Sequence, residues 1–267
     1  MPELPEVETI KRSLEPVCGR RVVEVIEVNP VVVKRRDFSA SSLVGCVLKQ
    51  VARRGKYLVL EFDEDHFMVV HLGMSGRFYR MASSEERAKH THFIVKLKAG
   101  EELRYWDPRR FGGVWLVSKP AELFTALGPE PFTDDFCQEY LQERFHGRKA
   151  AIKSLLLDQS VVAGIGNIYA DEILFAAGIH PARPAGSLSA EELERLCKVT
   201  GEVLGRGIDC RGTTFRDYRD GNNERGGFQD FLTVYSREGE PCTVCGQQIC
   251  RIKLGGRSSH YCPCCQK

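Results

Sequence analysis

No apolar run among the 267 residues approaches the roughly 18 that a membrane-crossing helix needs. The opening residues, Met-Pro-Glu-Leu-Pro-Glu, lack a basic-then-apolar leader, so the expected location is the cytoplasm, with no membrane partner. An excess of one sign of charge is nearly absent as well: 38 Lys and Arg stand against 36 Asp and Glu, a net +2, and whole-chain charge selects no partner. There is no internal repeat and no low-complexity tract, which excludes solenoids and linker-like chains. The 11 cysteines are an odd number in a chain without a leader, which argues against a disulfide framework. The scattered ones, Cys18, Cys46, Cys137, Cys197 and Cys210, are expected to behave as small core hydrophobes.

Hydrophobic residues make up 42% of the chain, enough for an ordinary packed interior. Val7, Ile10 and Leu14 fall at helical spacing between Pro5 and Pro16 and predict a short first helix. Segments 21–28, 47–51, 57–62, 67–72, 93–97, 103–106 and 114–117 are rich in Val, Tyr, Phe and Leu, are separated by turn residues and predict strands. Many short strands suggest a sandwich or barrel. Leu127-Gly128-Pro129-Glu130-Pro131 reads as a boundary, after which the pattern turns helical at 134–145, 150–157, from Asn167 onward and at 187–205. Ser189 and Glu192 fit a capping box with Leu188 and Leu193 as its staple. Residues 207–227 read as a long polar loop, and loops of that length are often functional. The expected class is α+β, with regions at 1–130, 131–232 and 233–267.

Basic residues cluster locally. Arg53-Arg54-Gly55-Lys56, Arg109-Arg110 and Arg148-Lys149 are such runs, and 237–267 holds five Lys or Arg against two acids. Any single cluster can be a solvated face; together they could track phosphates. Six cysteines fall in the last 26 residues, and Cys242-x2-Cys245 is followed 16 residues later by Cys262-x2-Cys265. Each short loop turns two thiolates to one side, and two such knuckles complete a tetrahedral S4 site for one structural Zn2+. Cys264 adjoins Cys265 as a competing ligand, but the x2 spacing favours Cys265. Gly255-Gly256 between the knuckles predicts a two-residue hairpin turn with Arg257 just past its tip.

Removal of Met1 would leave Pro2 as a secondary amine at the chain end. An α-amino group has a pKa of roughly 7.7–8 against about 10.4 for lysine, so more of it is unprotonated at neutral pH. Attack on an aldehyde carbon gives an iminium ion that withdraws electrons well, and Glu3 is close enough in sequence to move protons.

Met-Pro-Glu-Leu-Pro-Glu-Val-Glu-Thr at residues 1–9, Arg54-Gly55-Lys56-Tyr57, His71-Leu72-Gly73-Met74-Ser75-Gly76, Asp107-Pro108-Arg109-Arg110-Phe111-Gly112, Gly164-Ile165-Gly166-Asn167-Ile168-Tyr169 and the cysteine module occur in this order. Together they resemble the bacterial formamidopyrimidine-DNA glycosylase family along the whole chain. The resemblance implies an N-terminal β-sandwich, a helix–two-turn–helix region and a C-terminal zinc-ribbon hairpin. It implies a base-excision-repair glycosylase and AP lyase that removes oxidised purines from duplex DNA, nicks by β,δ-elimination, and works as a monomer without a small-molecule cofactor in a bacterial cytoplasm, at the nucleoid. Carried over by position, Pro2 is the nucleophile, Glu3 the acid/base partner, Lys56 the donor for β-elimination and Arg257 the group for δ-elimination. Met74, Arg109 and Phe111 fill the gap left by the extruded base, and His90, Arg148 and Asn167 contact the DNA backbone. The residues alone also admit plainer roles: Met74 and Phe111 as core, Lys56 and Arg257 as surface charges, Asn167 as a helix cap. The Gly164-x-Gly166 pair lacks the third glycine of a dinucleotide fingerprint. Two other functions remain open: an endonuclease VIII-like preference for oxidised pyrimidines, disfavoured by the Phe111 segment, and a non-catalytic damage binder, disfavoured by intact Pro2, Glu3 and Lys56.

Overall fold

The computed structural model describes residues 1–267. The chain divides into two compact units, Met1–Thr125 with Ile208–Gln229 and Ala126–Gly207 with Asp230–Lys267.

The first unit opens with α1 (Leu4–Leu14), whose Val7, Ile10 and Leu14 are fully buried, as their spacing predicts. Nine strands follow: β1 (Val22–Glu27), β2 (Val33–Arg36), β3 (Leu48–Arg54), β4 (Tyr57–Phe62), β5 (Phe67–His71), β6 (Arg77–Ala82), β7 (Thr91–Leu97), β8 (Glu101–Trp106) and β9 (Gly113–Val117). They form a four-stranded sheet in the order β1-β7-β8-β6 and a five-stranded sheet in the order β2-β9-β5-β4-β3. All pairings are antiparallel except β2 with β9. Alternation explains the packing. Leu58, Leu60 and Phe62 of β4 join Phe78, Phe93, Val95 and Leu103 of the other sheet in one core that also takes the apolar face of α1. Val59, on the opposite face of β4, packs with Val69 and Val117 under Leu123 and Phe124. Strands β2 and β6 were not expected; their arginines interrupt the apolar pattern.

In the second unit, α2 (Gln138–Phe145), α3 (Ile152–Leu157) and α4 (Asn167–Ala177) precede α5 (Ala190–Asp209), whose last two residues belong to the first unit. The capping box forms as expected: the Ser189 amide donates to Glu192 at 2.8 Å, and the Glu192 amide donates to the Ser189 hydroxyl at 3.3 Å. The helix then runs past the expected end at 205, so the polar loop begins only after Asp209. The hairpin β10 (Cys250–Leu254) and β11 (Arg257–Tyr261) closes the chain. Gly255 and Gly256 fill its turn with φ of +53° and +78°, the left-handed backbone that a tight hairpin requires. No helix is long and apolar enough to cross a membrane. Of the scattered cysteines Cys46 is buried in the sandwich core and Cys18 packs against it, as expected, whereas Cys137, Cys197 and Cys210 are half-buried.

Candidate active site and zinc centre

Glu3 is the N-cap of α1 and is 2% exposed. It forms a capping box with Glu6: the Glu3 side chain accepts from the first helical turn, and the Glu3 amide donates to Glu6 Oε2 at 2.8 Å. The other Glu6 oxygen accepts the Thr213 amide at 2.7 Å, and the Tyr218 hydroxyl donates to the Glu6 carbonyl at 3.2 Å. The chain end carrying Pro2 and Glu3 is therefore locked from two sides, by its own helix and by the segment after α5. That segment is less loop-like than expected: Tyr218 enters the sandwich core, and the fully buried Asp220 accepts from the Asn222 and Glu224 amides.

Lys56 sits in the β3–β4 turn and is mostly buried, not an ordinary surface charge. Arg53 ties that turn to α1, donating to Glu8 Oε2 at 3.0 Å and to the Gly55 carbonyl at 3.2 Å. Burial opposes the Glu8 charge, but Arg53, Lys11 and Arg12 outweigh it and hold its carboxyl below the usual range. The His71 imidazole is pushed down to about 4, by burial first and by the Lys56 charge second. It is neutral at neutral pH and accepts the Gly73 amide at 3.2 Å.

Met74 and Phe111 are 44% and 57% exposed, so neither is core. Their loops are pressed together: a Cβ on Gly73 would lie 2.6 Å from the Gly112 nitrogen, and one on Gly112 would lie 2.2 Å from the His71 carbonyl oxygen. Only glycine permits this approach. Between the loops the fully buried Asp107 carboxylate accepts four hydrogen bonds, from Ser75 Oγ at 2.6 Å, Gly112 N at 3.0 Å, and Tyr105 Oη and Arg109 N at 3.2 Å. The Arg109 guanidinium lies 5.5 Å from the Phe111 ring centroid. An exposed methionine, an aromatic ring and a guanidinium are thus carried by two loops that one carboxylate joins. His90 is exposed just ahead of β7, its ring 6.5 Å from Trp106.

In the second unit Asn167 is the first residue of α4, after the N-cap Gly166; it is not the cap, and its buried Oδ1 has no protein partner. Arg148 is exposed, with its backbone fixed by Phe145 and Gly186. Arg257 is exposed just past the hairpin tip. The hairpin is strapped to α3 and α4 by a buried network. Asp171 Oδ2 accepts the His260 amide at 2.9 Å and its Nδ1 at 3.0 Å, Oδ1 pairs with Lys153 at 2.6 Å, and Lys153 donates to the Ser258 carbonyl at 2.8 Å.

The sulfur atoms of Cys242, Cys245, Cys262 and Cys265 lie within 4.8 Å of one another, with Cys242–Cys265 at 3.9 Å and Cys245–Cys262 at 3.5 Å. Tetrahedral zinc at about 2.3 Å from each sulfur needs edges of about 3.8 Å, so the set fits one structural zinc with no open position. The amides of Val244 and Cys265 donate to Cys242 and Cys262 sulfur, which suits thiolates. Cys264 is exposed and outside the set, which resolves the competition for the fourth ligand.

Residues 1–114 match the formamidopyrimidine-DNA glycosylase N-terminal domain, 127–219 the formamidopyrimidine-DNA glycosylase H2TH domain, and 239–267 a zinc finger found in FPG and IleRS. The formamidopyrimidine-DNA glycosylase of Syntrophomonas wolfei is 48% identical over 270 residues, covering 100% of both chains. The chain belongs to the formamidopyrimidine-DNA glycosylase family. Among solved members, the Lactococcus lactis FPG (MutM) in complex with a Fapy-dG containing DNA superimposes with a TM-score of 0.91 at 35% identity, over 99% of this chain and 100% of that one. The MutM (FPG) protein of Thermus thermophilus gives 0.88 at 39% identity, over 99% of this chain and 98% of that one.

Reading the sequence did not single out Glu6, Asp107 or Asp171, the three buried carboxylates that organise this family member's sites. Glu6 carried a signal, since Glu3-x-x-Glu6 has capping-box spacing ahead of an apolar helix. Asp107 opens one of the family motifs but with no role attached, and Asp171 carried no signal, because key donors, Ser75 for the first and His260 for the second, come from segments far away in the chain.

Proposed function

We propose that Pro2 is the nucleophile and Glu3 the proton-transfer group of a bifunctional DNA glycosylase and AP lyase. The enzyme works in base excision repair, removing oxidised purines such as 8-oxoguanine and formamidopyrimidines from damaged duplex DNA. The observation that carries the assignment is the locked chain end: Glu3 is buried beside Pro2 and held by Glu6, whose second oxygen is anchored to Thr213. Full-length likeness to named glycosylases supports the activity, and complexes of the L. lactis protein with Fapy-dG and with abasic-site DNA support the substrate class.

After loss of Met1, the Pro2 nitrogen attacks C1′ of the damaged nucleotide and the base departs with a proton. Glu3 then delivers a proton to the ring oxygen O4′, the C1′–O4′ bond breaks, and the open sugar is held as an iminium ion that acidifies the neighbouring C2′ position, so the 3′ phosphate leaves by β-elimination and the 5′ phosphate by δ-elimination. Glu3 moves protons at the sugar ring, Lys56 serves β-elimination, and Arg257 serves δ-elimination at the lesion phosphates. Met74, Arg109 and Phe111 occupy the space of the extruded base, offering the orphaned partner both stacking and hydrogen bonds. His90, Arg148 and Asn167 grip the backbone. Residues 1–130 form the catalytic region, 131–232 the helix–two-turn–helix region and 233–267 the zinc finger, whose zinc shapes the hairpin and takes no part in bond making. The chain acts as a monomer without a diffusible cofactor, in the bacterial cytoplasm at the nucleoid.

Glu3→Gln keeps the shape and removes the ionisable group. On duplexes containing 8-oxoguanine it should lower excision by about 10²–10⁴-fold while leaving DNA affinity within a few-fold, because proton transfer is lost and binding is not. Excision at the parental rate would refute the role given to Glu3.

A further inference from the structure

Apart from the four-cysteine centre, one other group of potential ligands converges. In the first unit a sulfur, a ring nitrogen and a carboxylate oxygen of Cys46, His66 and Glu64 lie within 4.8 Å of one another. The antiparallel pairing of β3 with β4, Leu48 opposite Phe62, brings the start of β3 beside the β4–β5 turn. That turn is tight: the Phe62 amide donates to the His66 carbonyl at 2.8 Å, and the His66 amide to the Asp63 carbonyl at 3.2 Å. Its two central positions, Glu64 and Asp65, adopt φ of +59° and +53°, a left-handed backbone for which Gly or Asn is the ordinary choice. The His66 ring packs edge-on against Phe38 with centroids 4.2 Å apart, which fixes its direction. Its Nδ1 faces the Cys46 sulfur at 4.0 Å.

We propose that Cys46, Glu64 and His66 form a second metal site, which takes a borderline-soft divalent cation such as Zn2+ or Co2+ with water completing the shell. Thiolate, imidazole and carboxylate together suit zinc-like ions, whereas Mg2+ and Ca2+ prefer oxygen alone. Across a tetrahedral zinc the S···N separation is about 3.6 Å, so a side-chain rotation of roughly half an ångström closes the gap. Burial first, and then the charges of Glu64 and Asp63, hold the Cys46 thiol above its ordinary range. A bound cation reverses that balance: it neutralises the carboxylate, takes the sulfur as thiolate and releases the thiol proton to solvent. With three protein ligands and an open position, this site exchanges its metal with solvent, unlike the closed S4 centre.

The test uses the full chain with its S4 centre already zinc-loaded. It is dialysed against Co2+, and bound cobalt and the thiolate-to-cobalt charge-transfer band are measured. The native protein should retain one zinc and take up one cobalt with that band. Cys46→Ser should abolish the band, and His66→Gln, a change at a half-buried position, should weaken cobalt binding by about tenfold or more. Both variants should keep the parental circular dichroism and excision rate. No cobalt uptake by the native protein would overturn the proposal. So would a band that persists unchanged in both variants, because the cobalt would then sit at the four-cysteine centre.

Discussion

The Ser75 hydroxyl donates to the Asp107 carboxylate at 2.6 Å, and both side chains are buried. Ser75 is thereby committed to the interior of its loop, although Met74 beside it is exposed. Asp107 in turn holds the backbone at Arg109 and Gly112, so one carboxylate sets the spacing between the Met74 loop and the Arg109–Phe111 loop.

Asp107→Asn should therefore disturb both loops at once. An amide places a donor where four donors already converge, and losing hydrogen bonds to a buried charge costs about 1.5–3 kcal/mol. Urea unfolding should show that loss. Excision of 8-oxoguanine should fall further than cleavage at a ready-made abasic site, which needs no base extruded. Equal losses on both substrates would mean that the loops do not act in extrusion.

Asp171→Asn tests the strap under Arg257. The change removes the charge that Lys153, 1% exposed, pairs with and weakens the hold on His260. Breaking a buried pair in this way typically costs about 3–5 kcal/mol. Product analysis on abasic-site DNA should show a smaller share of δ-eliminated product relative to β-eliminated product, because Arg257 loses its fixed position. An unchanged product ratio would separate Arg257 from the strap.

His71 gives a pH dependence. Its folded pKa is about 4 against an ordinary 6.5. As pH falls through this window the unfolded chain takes up a proton that the folded chain refuses, so stability is lost between about 6.5 and 4 and is fully present above 6.5. His71→Gln cannot take up that proton. The difference in unfolding free energy between the parent and His71→Gln should shift in the variant's favour as pH falls through the window. A difference independent of pH would contradict the role given to His71.

Much of this architecture was legible because it obeys simple periods. The strand expected at 57–62 is β4 residue for residue, and the S4 ligands follow from knuckle spacing alone. Where local pattern and tertiary context conflict, the reading falters. Strand β2, Val-Lys-Arg-Arg, is a sheet edge with one partner, and its Arg35 and Arg36 pair at the surface with Asp37, Glu122 and Glu27, so its charges stay out of the core. Gly205, the expected end of α5, does not stop the helix, because the buried Leu204 and Ile208 keep the apolar stripe going. The long-range partners of the supporting carboxylates are not legible for a further reason. Glu6 meets Thr213 across 207 positions of sequence, and no local window contains such a pair.

The proposed chemistry rests on the Pro2 nitrogen becoming bonded to the damaged nucleotide. The most direct test is borohydride reduction during turnover of an 8-oxoguanine duplex, followed by proteolysis and mass mapping of the trapped peptide. The predicted result is a chain that begins at Pro2 and carries the DNA adduct on the Pro2 nitrogen. An adduct on an internal lysine, in fully active enzyme that retains Met1, would contradict it.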